Sequence, residues 1–287
     1  MIAFGACVGS QEKYRTFAVP GIREVAEPDS VVAEVTTDSS IFTAYNEVLD
    51  ALAGRDDLEA LVLLHEDTEI VDPEFCAKVR RRLADPAVAI AGPIGAAEVA
   101  SLRWWEGRGR GRVRETRGLI DFGGPLPADV DVLDGWWPPL RDALSRPDRR
   151  AAVAFPDTID GAMRHDFAAW CFAVSRAALE EFAVAPGEFF DPQLVVWYQD
   201  TDLLQRLRLA GRPPEHVPAS RIRHGLSETV ASEDPALREW IHAEIARDTE
   251  AFVAKWPGVP VPPAALQIRD AALAAGDDLR QATAVAR

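Results

Sequence analysis

Cysteine is scarce in this 287-residue chain: Cys7, Cys76 and Cys171 are scattered and show no C-x-x-C spacing. That excludes a disulfide framework and a cysteine-built zinc site, and it suits a reducing cytoplasm. Long apolar runs are missing too, and no stretch reaches the ~18–20 residues that a membrane span needs. The first residues, Met1 to Val8, lack both a basic leader and a cleavage site, so they read as a strand and not as a signal peptide. Positive charge is in the minority, with 31 Lys and Arg against 46 Asp and Glu, a net charge of −15. Such a surface is a poor partner for duplex nucleic acid or an anionic membrane, although a local basic patch can still hold a small anion. There is no G-x-x-x-x-G-K-[ST] and no G-x-S-x-G, and Gly107-Arg108-Gly109 follows no apolar strand. Phosphate-loop, hydrolase-elbow and dinucleotide fingerprints are therefore absent. No internal repeat occurs.

What is present is an ordinary globular composition, 48% hydrophobic and 27% charged. Apolar runs at Ile2–Val8, Val31–Val35, Leu61–Leu64 and Ala87–Ala91 alternate with helical patterns at Ile41–Ala53 and Pro73–Leu83. Strands separated by helices of this length predict βαβ units and an α/β fold with a parallel sheet. Asp38-Ser39-Ser40 caps the first of these helices, and Asp72 followed by Pro73 opens the second. From Ala100 to Pro156 the regularity gives way to a loop-rich insertion, basic and aromatic at Arg103-Trp104-Trp105 and broken at Gly123-Gly124-Pro125. A strand over Asp166–Val174 follows, then helices over Ser175–Phe182 and Asp200–Ala210, the latter closed by Gly211. A short strand leads to Arg223-His224. The tail reads as a helix from Pro235 to Trp256, a Pro-rich break, and an Ala-rich helix to the end. This divides the chain into 1–232, with halves 1–99 and 100–232, and a helical extension 233–287. Leu237, Trp240, Ile241, Ile245, Phe252 and Trp256 form an apolar stripe on that extension, to be covered by packing or by a homo-oligomer.

Two segments carry chemistry. In Leu61-Val62-Leu63-Leu64-His65-Glu66-Asp67 a buried strand runs straight into acids. Ligands of open α/β sheets bind beyond the carboxyl ends of strands, and acids there can hold Mg²⁺ or Mn²⁺; the plainer alternative is a solvated turn. In Trp197-Tyr198-Gln199-Asp200-Thr201-Asp202 two acids open a helix among aromatic residues. One of them is explained as a cap, and the other has the surroundings of a general base for a sugar hydroxyl. His224 is an ordinary histidine unless acids lie beside it, in which case it suits Mn²⁺. The Arg103–Arg114 stretch is either a solvated loop or an anion clamp.

In order along the chain, four segments resemble the bacterial family 2 nucleotide-sugar glycosyltransferases, in the branch linked to capsule and surface polysaccharides. They are Ser39-Ser40-Ile41-Phe42-Thr43-Ala44-Tyr45-Asn46-Glu47, His65-Glu66-Asp67, Arg103-Trp104-Trp105-Glu106-Gly107, and Tyr198 to Gly211 with Arg223-His224. The resemblance implies a GT-A fold, a Rossmann-like mixed sheet, and an inverting transfer from a nucleotide-diphosphate sugar to a glycan or other hydroxyl acceptor. It also implies a divalent cation, Mn²⁺ or Mg²⁺, held by Asp67 with His65 or Glu66 and His224. Asp200 is then the base and Asp202 its structural or acceptor-binding neighbour. Ala6, Val8 and Asp38 border the nucleotide, with Asn46 and Arg103 as further donor contacts. His65 and Gln199 depart from the family's usual acids, and Asp134 or Asp160 lines the acceptor side. The alternatives are a GT-A scaffold that binds without turnover and a metal-dependent nucleotidyltransferase, which needs a phosphate loop that Gly9-Ser10-Gln11-Glu12-Lys13 supplies only thinly.

Overall fold

A computed structural model describes residues 1–37, 40–93, 95–96, 120–121, 151–154, 166–167, 169–212, 214–217, 220–224, 234–259, 261–276 and 279. In chain order the elements are β1 (Ile2–Val8), α1 (Gln11–Thr16), α2 (Ala18–Val25), β2 (Val31–Thr36), α3 (Ile41–Leu52), β3 (Ala60–His65), β4 (Thr68–Ile70), α4 (Phe75–Leu83), β5 (Ile90–Gly92) and β6 (Gly95–Ala96). They continue with β7 (Ile120–Asp121), β8 (Ala151–Ala154), β9 (Asp166–Phe167), β10 (Cys171–Ser175), α5 (Arg176–Glu181), α6 (Gln199–Leu209), β11 (Glu215–His216), β12 (Arg221–His224), α7 (Pro235–Lys255) and α8 (Pro263–Ala275).

The main sheet has six strands in the order β11-β5-β10-β3-β1-β2. β1 pairs parallel with both β2 and β3, while β10 runs antiparallel between β3 and β5. The sheet is thus mixed, with helices on both faces. Period-two alternation sorts the side chains. Ile2, Phe4, Ala6, Val62 and Leu64 meet Tyr14, Ile22, Phe75 and Val79 of α1, α2 and α4. Ala3, Cys7, Leu61 and Leu63 meet Tyr45, Val48 and Leu52 of α3 together with Phe182, Phe190, Leu203 and Leu207. Because both faces are covered, β1 and β3 read as unbroken apolar runs.

A second, four-stranded sheet has the order β4-β12-β8-β7. Two of its strands, β7 and β8, fall inside the stretch expected to be loop-rich, so that stretch contributes to a sheet. The expected strand over Asp166–Val174 is two strands in different sheets, β9 and β10. α4 begins two residues later than Pro73 because Asp72 closes a turn first: its Oδ1 accepts from Glu74 N at 3.1 Å and its carbonyl from Phe75 N at 3.0 Å. β5 also starts late, since a turn at Asp85 takes the amides of Ala87 and Val88 at 2.9 Å each.

α1 and α2 are among the elements that sequence reading passed over, as are β4 and β6. Pro20-Gly21 looks like a break, yet Pro20 sits in the first turn of α2, where no N–H is needed. Gly21 lets that helix press on β4, since a Cβ there would lie 2.4 Å from Ile70 N. The stripe on α7 is covered from within the chain: Ile241, Ile245 and Phe252 are buried with Leu194, Tyr198 and Ala265, and Leu237, Trp240 and Trp256 pack on that cluster. That face needs no second copy. α8 ends at Ala275 with Gly276 in the left-handed region (φ 90°), short of the chain end expected for it. No described helix is long and apolar enough to cross a membrane.

Candidate functional site

Parallel strands leave their carboxyl ends at one sheet edge, and β3 delivers His65-Glu66-Asp67 there beside the end of β1. Glu66 turns back onto β1. Its Oε2 accepts from Gly9 N at 2.5 Å and Ser10 N at 2.6 Å, and Ser10 in turn caps α1 through Lys13 N at 3.4 Å. Burial raises the Glu66 carboxyl above the usual carboxylate range, although the two amides oppose it. Asp67, half-buried, follows at the turn into β4. β4 pairs antiparallel with β12, and the register sets His224 opposite Thr68 and Arg223 opposite Glu69. Cα atoms so paired lie ~4.5–5.5 Å apart. Residues 157 positions apart in sequence, Asp67 and His224, are therefore brought to neighbouring backbone positions.

Tyr45 of α3 is fully buried within electrostatic reach of Asp67 and Glu66. Burial holds its hydroxyl well above the ordinary phenol range, and Cys7, Cys171, Asp67 and Glu66 all add to that. The hydroxyl makes no hydrogen bond among the described residues. The three cysteines are buried, which pushes the Cys7 and Cys76 thiols up to about 12 and Cys171 higher still, away from the thiolate form.

The next residue of α3, Asn46, joins this edge to the second half of the site. Its Nδ2 donates to the Phe190 carbonyl at 2.9 Å, and its Oδ1 accepts from Phe189 N at 3.1 Å and Phe190 N at 3.0 Å. Expected as a donor contact, Asn46 is engaged as a clamp on this loop. Phe190 packs against Phe42 and Tyr45 with ring centroids 4.9 and 5.9 Å away. Ala6 and Val8, expected to border the nucleotide, are fully buried in the core.

The loop then runs to α6, where Asp200 and Asp202 diverge because i and i+2 lie about 200° apart on a helix. Asp200 is half-buried. Its Oδ1 accepts from Thr201 N at 2.7 Å, and burial pushes its carboxyl above the ordinary range. Asp202 is fully buried and tied on all sides: Arg206 at 3.0 Å, Lys255 at 2.8 Å and Trp256 Nε1 at 2.8 Å. Arg206 also donates to the Phe182 carbonyl and to that of Phe189, the latter at 3.0 Å. Tyr198, just before α6, is the one non-glycine residue with positive φ among those described (φ 69°).

Among the described residues no three His, Cys, Asp or Glu side chains come together around a metal-sized space. Asp38, Arg103, Asp134 and Asp160 lie outside the described residues. Sequence reasoning missed Asp248, Lys255 and Trp256. A signal was there: Glu244 and Asp248 sit at helical spacing within the Ile241, Ile245, Phe252 stripe, where acids are out of place.

No family model matches the chain. A stretch of 137 residues is 35% identical to the streptomycin biosynthesis protein StrF of Streptomyces griseus, 47% of this chain and 48% of that protein. The chain thus matches about half the length of this curated relative. Among solved structures, it can be superposed on a mannosyltransferase from Pyrobaculum calidifontis in complex with GDP-Man and Mn²⁺ with a TM-score of 0.42 and 14% identity, covering 96% of this chain and 74% of that one. The CMP:2-keto-3-deoxy-manno-octonic acid synthetase complexed with CTP gives 0.34 and 15%, covering 86% of this chain and 98% of the other.

Proposed function

We propose that the chain is a nucleotide-sugar glycosyltransferase that moves a sugar, with inversion, from a nucleotide-diphosphate donor to a hydroxyl of a glycan or other biosynthetic acceptor. The observation that carries this reading is the β4–β12 register, which pairs His224 with Thr68, the residue after Asp67, and so brings the two backbones together at the carboxyl end of β3. A carboxylate and an imidazole can together hold a hard-to-borderline divalent cation such as Mn²⁺. With no third protein ligand among the described residues, the remaining ligands would be substrate phosphates and water, the usual arrangement for such ions. Asp67 and His224 would hold the cation, which when bound supplies positive charge against the departing diphosphate.

The chain's own residues supply the rest. Asp200 accepts the proton of the acceptor hydroxyl as the new C–O bond forms and the bond to the diphosphate breaks on the opposite face. Its raised carboxyl makes it a better base than an exposed aspartate. Asp202 does not meet substrate; it holds α6 in place through Arg206, Lys255 and Trp256. Glu66 fixes the turn after β1, and Asn46 fixes the loop before α6. The similarity to a streptomycin biosynthesis protein supports a biosynthetic setting, with the acceptor a small molecule or a surface polysaccharide.

One further contact favours glycosyl over nucleotidyl transfer. The Gly9 and Ser10 amides, where a nucleotidyltransferase would need a phosphate-binding loop, are already taken by the Glu66 carboxylate. A thermal-shift panel of nucleotide-diphosphate sugars with and without Mn²⁺ tests the proposal. At a hundredfold excess over Kd a true donor adds about 2.7 kcal/mol of stability. One or more donors should raise Tm only with the metal. Stabilisation by nucleoside triphosphates alone, or by none of the panel, would count against it.

A further inference from the structure

We infer that α7, the long helix after β12, positions the candidate base, with Asp248 as the positioning residue. Asp248, Thr249, Phe252 and Lys255 of that helix, with Trp256 at its C-cap, hold Asp191, the run Val195–Tyr198 and Asp202. Asp248 Oδ1 accepts from Val195 N at 2.9 Å, and its Oδ2 accepts from Val196 N and Trp197 N, both at 2.7 Å. The Tyr198 ring stacks on Phe252 at 4.6 Å, and its hydroxyl lies 3.3 Å from Thr249 Oγ1. Lys255 bridges Asp191 at 2.5 Å and Asp202 at 2.8 Å, so the same helix grips the segment at both ends. Gln199 Nε2 closes the loop on itself by donating to the Leu194 carbonyl at 2.6 Å.

Packing alone does not call for such an arrangement. Asp248 is fully buried, and an apolar residue of similar volume would fill its place without the cost of desolvating a charge. Burial lifts its carboxyl to about 6 in spite of three amide donors. What a carboxylate does, and an apolar side chain cannot, is gather three consecutive N–H groups at a point where the chain turns. The residue after them, Tyr198, is held at φ 69°, a conformation that a bulky side chain keeps only where its surroundings over-determine it. Asp200 comes two residues later. Its direction out of the first turn of α6 is set by how that turn is entered, and α7 fixes the entry.

This inference rests on the reading of Asp200 as the base, so its test separates the two. Hydrogen exchange of the Val195, Val196 and Trp197 amides reads the mooring alone. Asp248→Asn keeps size but turns one acceptor into a donor facing donors. Exchange at those amides should quicken tenfold or more, kcat should fall at least tenfold, and the donor Kd should not move. Asp248→Glu, which keeps the charge and both acceptors, should recover part of both losses, and it carries the same readouts if the asparagine variant does not fold. Unchanged exchange in Asp248→Asn would overturn the mooring whatever the reaction is. Quickened exchange with unchanged kcat, or donor binding lost in step with kcat, would overturn the positioning role. If instead Asp200→Asn leaves kcat intact, it is the base assignment that fails.

Discussion

Asp202 and Asp200 stand two residues apart and should fail in opposite ways. Replacing Asp202 by Asn removes a fully buried charge from between Arg206 and Lys255, whose side chains are 14% and 32% exposed. Breaking one partner out of a buried ion pair costs ~3–5 kcal/mol. Here both cations keep other partners, Arg206 on two carbonyls and Lys255 on Asp191, which places the loss at the lower end, about 3 kcal/mol. For a chain of this size that is a fall in Tm of about 5 °C. Asp200→Asn should behave differently. Its carboxylate is half-buried and disfavoured by burial, and an amide oxygen can still accept from Thr201. Stability should therefore stay within ~0.5 kcal/mol of the parent, while turnover falls by ~10²–10⁴. Urea unfolding gives the first quantity and nucleotide release under saturating acceptor the second. If Asp202→Asn costs less than ~1 kcal/mol, the buried-pair argument fails. If Asp200→Asn is the destabilising change, the two roles are reversed.

Gly21→Ala should destabilise the fold by ~1–3 kcal/mol and weaken metal-dependent donor binding together, because the new Cβ would sit 2.4 Å from the Ile70 amide on the strand that carries the Asp67 turn. Urea midpoints and donor titrations on the same sample check both. The Asp248 carboxyl gives the stability curve a definite slope. Its carboxyl is raised from 3.8 to about 6, with Glu244 adding to the effect of burial, so the folded chain holds that proton more tightly than the unfolded one. The stabilisation is complete below pH ~4 and is lost as pH rises through ~6, on the order of 3 kcal/mol in all. Melting curves from pH 4 to 7 should show that slope in the parent and not in Asp248→Asn.

How much of this could be read from the sequence follows from which signals are local. β1 and β3 are unmistakable because both faces of the sheet are covered, which leaves runs such as Leu61-Val62-Leu63-Leu64 with no polar interruption. The caps at Ser40 and Ser175 mark α3 and α5 for the same local reason, each accepting from an amide three residues on at 3.2 Å. α2 hid behind Pro20-Gly21 because what justifies the glycine is a strand about fifty residues away. The candidate site divides likewise. That Asp67 follows a buried strand is visible in seven letters, and that His224 pairs with the next residue, Thr68, is a matter of strand register, which no window shows. Asn46 reads as a donor contact from its segment, but its bonds go to Phe189 and Phe190, more than 140 positions on. Asp248 reads as one more acid on a long helix until the helix is rotated so that Ile241, Ile245 and Phe252 face inward with it.

The central claim is that Asp67, beside His224, anchors a metal-dependent nucleotide-sugar site. Titration calorimetry of the best donor from the panel, with and without Mn²⁺, on the parent chain and on Asp67→Ala, tests it directly. The parent should bind at least tenfold more tightly with the metal, ~1.4 kcal/mol, and the variant should show no difference between the two conditions. Metal-dependent binding that survives in Asp67→Ala would contradict the account.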